Sequence, residues 1–295
     1  MFFNNLLKII LKKRRKRHFL SIFAVSKEKS VHYVKSQTTF AITAMDTIIR
    51  TFAPIGLDEM KSVRLMNRVD TKFVTTMPRL LDLLSLAKDE YFMQQIGDVR
   101  NSAYTTLYYD TPGLEMYIMH HNGCLGRQKV RVREYVGSNL MFLEVKNKNN
   151  HRRTRKKRIS IEEFNIDGEE KRAFLNDLCW WDVDILEPAL RNWFNRLTLV
   201  NKGMTERVTI DTGLRFHNYR SGRDVSLDQV VIVELKRDGN QPSPLLSMLR
   251  ELHIHPHGFS KYCMGTALSN PGVKQNRFKP KLHYVDRMIA RDCNQ

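Results

Sequence analysis

The chain reads Arg127-Gln-Lys-Val-Arg-Val-Arg-Glu-Tyr135, then Phe142-Leu-Glu-Val-Lys146, then Lys156-Lys-Arg-Ile-Ser-Ile161. Lys129, Arg131 and Arg133 alternate with Val130 and Val132. Glu144 and Lys146 alternate with Leu143 and Val145, and Lys156 and Arg158 with Lys157, Ile159 and Ile161. A strand places successive side chains on opposite faces, so each segment is predicted to carry one cationic face and one largely aliphatic face. From residue 127 to 158 there are twelve Lys/Arg and two Glu. Arg207 is likewise opposed to Val208 and Ile210, and Glu234 and Lys236 to Val233 and Leu235. A half-buried strand ordinarily turns its polar face to water. Against that, the sign here is nearly uniform, whereas a solvated face mixes signs, and the aliphatic faces are apolar enough to be covered by helices. Several such strands closed into a barrel, charge inward, would form a basic tunnel for a polyanion.

The bulk properties agree. The protein has 295 residues, a net charge of +18 and a hydrophobic fraction of 42%, which fits a globular core and an anionic partner. Residues 1–44 hold half of that charge in a basic leader, and the remainder is still basic at +9. The leader's apolar stretches, 2–11 and 19–25, are too short to span a bilayer and are split by a basic run, so no transmembrane segment is expected. The leader would allow at most a weak contact with a membrane surface. Met45 followed by Asp46 reads as a natural beginning, and residues 1–44 as a disordered or non-native extension. Cys124, Cys179, Cys263 and Cys293 form no CxxC pair, which argues against zinc and disulfides and for reduced, mostly buried thiols in a cytoplasmic protein.

From Met45 onward the chain reads as one domain to about residue 270, with 271–295 as a tail. Helical periodicity is expected over Ile55–Met66. Thr76 caps a second helix with Pro78 at its first position. Tyr104–Tyr109 is a strand, and a short helix ends at Asn122-Gly123, with Asp110 as its cap. Glu169–Trp181 is helical, with Trp180 and Trp181 in the core. Leu190–Val200, Arg207–Asp211 (closed by a turn at Gly213) and Val230–Lys236 are extended. Ser243 and Ser260 cap two final helices. About eight strands with helices between them give an α+β class, a largely antiparallel sheet expected to close into a β-barrel. The alternating His253, His255 and His257 are interrupted by Pro256 and read as a polar loop.

Two strands carry Glu-x-Lys, Glu144/Lys146 and Glu234/Lys236, which places a carboxylate among cations on one face. A carboxylate there can hold a divalent metal, while Lys and Arg hold phosphate oxygens. Phosphoryl transfer needs that combination, because it depends on positioning and charge neutralisation.

The ordered set Arg68-Val-Asp-Thr-Lys72, Tyr108-Tyr-Asp-Thr-Pro112, His121-Asn-Gly, Arg127 to Tyr135, Phe142 to Lys146, Asn195-Arg196, Glu206 to Asp211, Val233 to Lys236 and Phe259-Ser-Lys261-Tyr262 resembles the VTC domain. That is the polyphosphate polymerase domain of the vacuolar transporter chaperone, within the triphosphate tunnel metalloenzyme (CYTH-like) superfamily. The resemblance implies an antiparallel barrel around a basic tunnel, cleavage of ATP's terminal phosphoanhydride, transfer of that phosphoryl to a growing polyphosphate chain, and a divalent cation, Mn2+ or Mg2+. It implies that Lys72 and Lys261 flank the reacting phosphates as catalytic lysines. Arg131, Arg133, Lys146, Arg196, Arg207 and Lys236 would bind phosphates, and Glu234 the metal. Lys156 and Arg158 join the phosphate-binding set if their face lines the lumen, and otherwise belong to a solvated basic loop. Glu144 either supports the metal or pairs with a neighbouring arginine, and Glu234 could likewise be an ion-pair partner. The superfamily's Glu-x-Glu-x-Lys opening stands here as Arg68-Val-Asp70-Thr-Lys72, so no metal role is expected on that strand. With neither a phosphate-sensing nor a membrane domain, the chain resembles the short bacterial members.

ATP-dependent polyphosphate polymerisation is therefore the expected function, with ATP and polyphosphate as partners. An inorganic or nucleoside triphosphatase of the same superfamily is the first alternative. A non-enzymatic binder of polyphosphate or RNA is the second, disfavoured because RNA modules add exposed stacking aromatics; no nucleic-acid partner is expected.

Overall fold

A computed structural model describes residues 43–63, 68–151, 153–239 and 241–292, with backbone alone at 61, 62 and 68. Two compact units divide the chain, Met1–Asp46 and Thr47–Gln295. Most of the expected basic leader, residues 1–42, lies outside the described residues, as do Arg152 and Cys293. The second unit is described below.

Its strands are β1 (Ala53–Ile55), β2 (Arg68–Thr76), β3 (Tyr91–Gln94), β4 (Ser102–Asp110), β5 (Arg127–Tyr135), β6 (Leu140–Lys148), β7 (Thr154–Ile161), β8 (Glu187–Asn201), β9 (Glu206–Asn218), β10 (Arg223–Leu227) and β11 (Val230–Asp238). Between and after them lie helices α1 (Met77–Ala87), α2 (Glu115–Asn122), α3 (Glu169–Leu178), α4 (Pro244–Glu251), α5 (Lys261–Ser269) and α6 (Lys279–Asp292).

The strands form one 11-stranded sheet with the path β2-β11-β9-β8-β4-β5-β6-β7; off that path β10 pairs with β9, and β3, which carries β1, pairs with β8. All pairings are antiparallel except β1 with β3. The α+β antiparallel class thus stands, but the expected closed barrel does not. Among the described residues β7 pairs only with β6, and the path stops there. The outer edge of β2 is occupied locally by the chain ahead of α5. His257 N–H donates to the Lys72 carbonyl (2.7 Å), and Phe73 bridges Pro256. Backbone groups engaged in that way are not available to join β7.

The sheet nevertheless curls. Lys146 on β6 lies within electrostatic reach of Glu234 on β11 and Lys72 on β2, strands that stand far apart along the path. The outward face is apolar. Val130, Val132, Leu143, Val145, Leu107 and Tyr109 form a core with Phe174, Leu175 and Leu178 of α3. On the other flank Phe73, Val233, Leu235, Leu80, Leu83, Leu84, Leu245 and Leu249 are buried where α1 covers β2 and β11 and packs against α4. Each such Leu contributes about 1.5–3 kcal/mol by leaving water. One end of the inward face is closed by α5. Its Tyr262, Cys263, Met264 and Ala267 pack with Tyr108, Leu190, Phe216 and Ile232. Gly265 permits the contact, because a Cβ there would lie 2.8 Å from Leu190 Cδ2.

Several local expectations change. Gly213 (φ 60°) makes no turn; β9 continues through it, and the register against β8 shifts there. This bulge changes which residues face inward, so Asp211 and Phe216 share the concave side. Ile55–Met66 is not a helix: β1 ends at Ile55, Glu59–Ser62 is a single 3-10 turn, and 64–67 lie outside the described residues. The helix after Gly168 stops at Leu178, and Trp180 is 48% exposed, because Gln128 binds the Leu178 carbonyl and the Trp180 N–H, fixing an extended exit. Thr76 stands at the start of α1, but Pro78 is its second residue and the Thr76 hydroxyl donates to Asp292 of α6. The tail contains α6, whose Leu282, Val285 and Met288 join the core against α5. Cys124 is exposed, Cys179 partly buried and Cys263 buried. Ser243 and Ser260 accept from Leu246 and Cys263 N–H and start α4 and α5.

Candidate active site

Strand register brings the charged residues together. Lys129 pairs with Lys146 and Arg131 with Glu144, and Glu144 and Lys146 pair in turn with Arg158 and Lys156. Across the sheet Glu234 stands opposite Lys72 on one side and Thr209 on the other, Lys236 opposite Asp70 and Arg207, and Arg196 opposite Asp211. Facing partners on neighbouring strands share a face, so all these residues look into the trough.

Three carboxylates each bridge two cations. Glu234 receives Lys72 Nζ at 2.7 Å and Lys236 Nζ at 2.9 Å. Glu144 receives Arg131 Nη2 at 2.6 Å and Lys156 Nζ at 2.9 Å. Asp211 receives Arg196 Nε at 2.6 Å and Nη2 at 2.9 Å, and also Lys261 Nζ. Burial alone would raise these carboxyls, yet their cationic neighbours hold all three well below the usual range. They are anions under ordinary conditions, and each group of three carries one net positive charge while both its cations are protonated.

Arg133, Lys146 and Lys129 have no carboxylate in ion-pair contact among the described residues. Arg133, 9% exposed, donates to Thr106 Oγ1 at 3.3 Å and lies over the rings of Tyr104 (5.8 Å) and Phe194 (5.9 Å). Burial, then Arg131 and Arg196, push its pKa down. Lys146 has no hydrogen-bond or carboxylate partner among the described residues. It projects into the open trough, where surrounding protein, then Arg131 and Lys129, lower it to about 8. Among the described residues Lys129 Nζ donates only to Ser260 Oγ, at 2.8 Å, and its pKa is lowered first by burial. Arg158 lies 4.2 Å over Phe142. Lys261, held at the start of α5 by the Ser260 cap, stands 4.3 Å over Phe194 and is lowered to about 7, first by burial and despite Asp211. Arg207 is half-buried on the same face.

Every candidate residue named from the sequence therefore sits on the concave face. Asp211 was not among them. Its four-residue spacing from Arg207 was the available signal, but its role depends also on Lys261, fifty residues further on. Lys129 and the Tyr104–Phe194 stack (5.1 Å between centroids) were also missed as site elements. Asp110 accepts the Met116 and Tyr117 N–H groups at 3.0 Å and so caps α2.

Among the described residues the site is thus a curled sheet with cations converging inward and its wall open between β7 and β2. The VTC domain family model matches residues 67–270, and the chain belongs to that family. No curated protein matches it. Similar solved structures include the PH1819 protein of Pyrococcus horikoshii OT3 (14% identity, TM-score 0.40, covering 68% of this chain and 98% of that one). Another is HpAC1 of Hippeastrum, a putative adenylyl cyclase described as having a dominant triphosphatase activity (15% identity, TM-score 0.43, covering 68% and 96%).

The family implies a divalent cation. Among the described residues no three His, Cys, Asp or Glu side chains converge on one point, so an all-protein cage does not fit. Glu234 has both oxygens engaged, by Lys72 and Lys236, but its side chain keeps 18% exposure, so a Mg2+ or Mn2+ ion with water and phosphate oxygens as its other ligands would fit there once a lysine turns to the phosphates. Glu144 is likewise engaged at both oxygens, by Arg131 and Lys156, and differs in being only 1% exposed, which leaves an ion no access.

Proposed function

We propose that this chain is an ATP-dependent polyphosphate polymerase. The observation that carries this reading is the uncompensated charge of the concave face: three carboxylates already bridged by cations, and Arg133 and Lys146 left without one. Cations drawn together out of bulk water are costly unless an anion joins them, and a row of phosphates supplies anions at each strand. Arg131, Arg133, Lys146, Arg196, Arg207 and Lys236 grip successive phosphates, with Lys156 and Arg158 on the open flank. Lys72 and Lys261 stand beside the phosphoryl in transit. A terminal oxygen of the polymer attacks the γ-phosphorus of ATP, the bond to the β-phosphate oxygen breaks, and ADP leaves. Glu144 holds Arg131 in place, and Asp211 holds Arg196 and Lys261. Glu234 would hold the divalent cation, which neutralises charge between phosphate oxygens. A cytoplasmic location accompanies ATP as substrate; among the described residues no helix is long and apolar enough to cross a membrane.

Incubating the purified protein with ATP and Mn2+ and resolving acid-labile phosphate chains on a gel tests this. Long chains are expected; a folded protein that never makes them refutes polymerisation. The open wall between β7 and β2 favours a second reading, triphosphate hydrolysis, since water can reach the phosphoryl from that side. Orthophosphate without chains would establish that alternative.

A further inference from the structure

We propose that the unpaired edge strand β7 is a second anion track, which leads a polyphosphate chain out of the trough sideways through the gap between β7 and β2. This rests on the polyphosphate reading above. Residues 155–158 are all cationic and all exposed. Lys156 and Arg158 continue the concave face. Arg155 and Lys157 point the other way, opposite Asn147 and Val145, and Arg153 precedes them at the same parity. Among the described residues none of Arg153, Arg155 and Lys157 has a carboxylate partner.

The two edges of the sheet differ. On β2 the side chains described run Val69, Asp70, Thr71 and Lys72, mixed in sign, and the edge is partly covered by Pro256 and His257. Bare edges are often guarded by a charge against unwanted pairing, but guarding does not require cations on both faces of the strand. On β7 the positive surface runs unbroken from the trough, around the edge, to the outside. A ligand confined to the trough would never meet Arg155 or Lys157, whereas a linear polyanion longer than the trough would. No residue of β7 is aromatic, so the strand offers charge without the stacking surfaces that favour a nucleic acid.

The test compares long-chain polyphosphate with tripolyphosphate, binding both to the full chain and to Arg153→Glu/Arg155→Glu/Lys157→Glu. The triple Gln version serves if charge reversal disturbs folding, judged by circular dichroism. The long chain should bind about tenfold more weakly, with a salt dependence shallower by about 2, as for the loss of three phosphate contacts to a flexible polyanion. Tripolyphosphate should bind as before. Equal losses for both ligands, or no loss for either, overturn the track. A single-stranded RNA of matching charge that binds as tightly and loses as much overturns the assignment to polyphosphate. If the unaltered protein binds no tripolyphosphate at all, the polyphosphate reading itself fails, and the track with it.

Discussion

The two faces of β5 and β6 share one backbone and have opposite physics. Outward, Val130, Val132, Leu143 and Val145 are at most 2% exposed and close a core under α3. Inward, Lys129, Arg131, Arg133 and Lys146 crowd together with Glu144 as the one carboxylate among them. Stability comes from the first face, because buried apolar area is the dominant favourable term in folding. The second face works against folding, since cations are gathered without enough anions. A site that costs stability in the empty protein stores a preference for whatever removes that cost. On this sheet the remover is an anion.

The largest expected effects come from exchanging the two roles. Leu143→Ala should lower unfolding free energy by about 3 kcal/mol, read from urea denaturation. Lys146→Met, three residues away on the other face, should leave the denaturation midpoint unchanged or raised while weakening tripolyphosphate binding. If Lys146→Met destabilises as much as Leu143→Ala, the division of labour between the faces is wrong.

Glu234→Gln sharpens the inward side. It leaves Lys72 and Lys236 without their shared carboxylate, so the empty protein should become less stable. Tripolyphosphate should then bind at least as tightly and restore more stability than it does in the unaltered protein, because it now compensates two further cations. Turnover with ATP and Mn2+ should fall by about 100-fold if Glu234 holds the cation. Retained turnover would remove Glu234 from that role, and weakened anion binding would contradict the charge argument.

The alternation in Lys129–Arg133, Glu144–Lys146 and Glu234–Lys236 was enough to read which residues share a face, since parity is local. Ser243 and Ser260 were legible for the same reason: a cap is set within three residues. Closure was not legible, because β2's edge is engaged by His257, some 185 residues away in sequence, and nothing near Lys72 announces that partner. Gly213 carries a turn signal, yet between long strands the same positive φ serves a bulge. That bulge sets the facing of Phe216 beyond it, whereas Asp211 keeps the parity of Arg207 and stayed hidden because its second cation, Lys261, comes fifty residues later on α5. For Glu144 the sequence left metal support or an ion pair open, and the structure shows it bridging Arg131 and Lys156. The helix α6 lacks a strong cap, and its apolar positions Leu282, Val285 and Met288 gain meaning only against α5.

The smallest effect concerns pH and distinguishes the faces without breaking either. Lys146 is lowered to about 8 and Lys261 to about 7, both below the value of about 10.4 for a lysine in the unfolded chain. Below the folded values both states are protonated, and the empty fold bears the full cost of the confined ammonium groups. Between the folded and unfolded values the unfolded chain binds more protons, so stability rises with pH. The empty protein should therefore gain stability from about pH 7 to about pH 10, measured by thermal melts. Anion affinity should move the other way, since a neutral amine gives up charge-assisted hydrogen bonds, a loss of about tenfold in binding for one of them. Tripolyphosphate itself gains charge over that range, so the comparison is with Lys146→Arg, whose guanidinium stays protonated. The unaltered protein should lose affinity relative to that variant as pH rises, and should take up protons on binding near pH 8, seen as a buffer-dependent heat. Parallel pH profiles for the two proteins would show that Lys146 is already compensated, and that the inward face is less hungry for anions than its geometry implies.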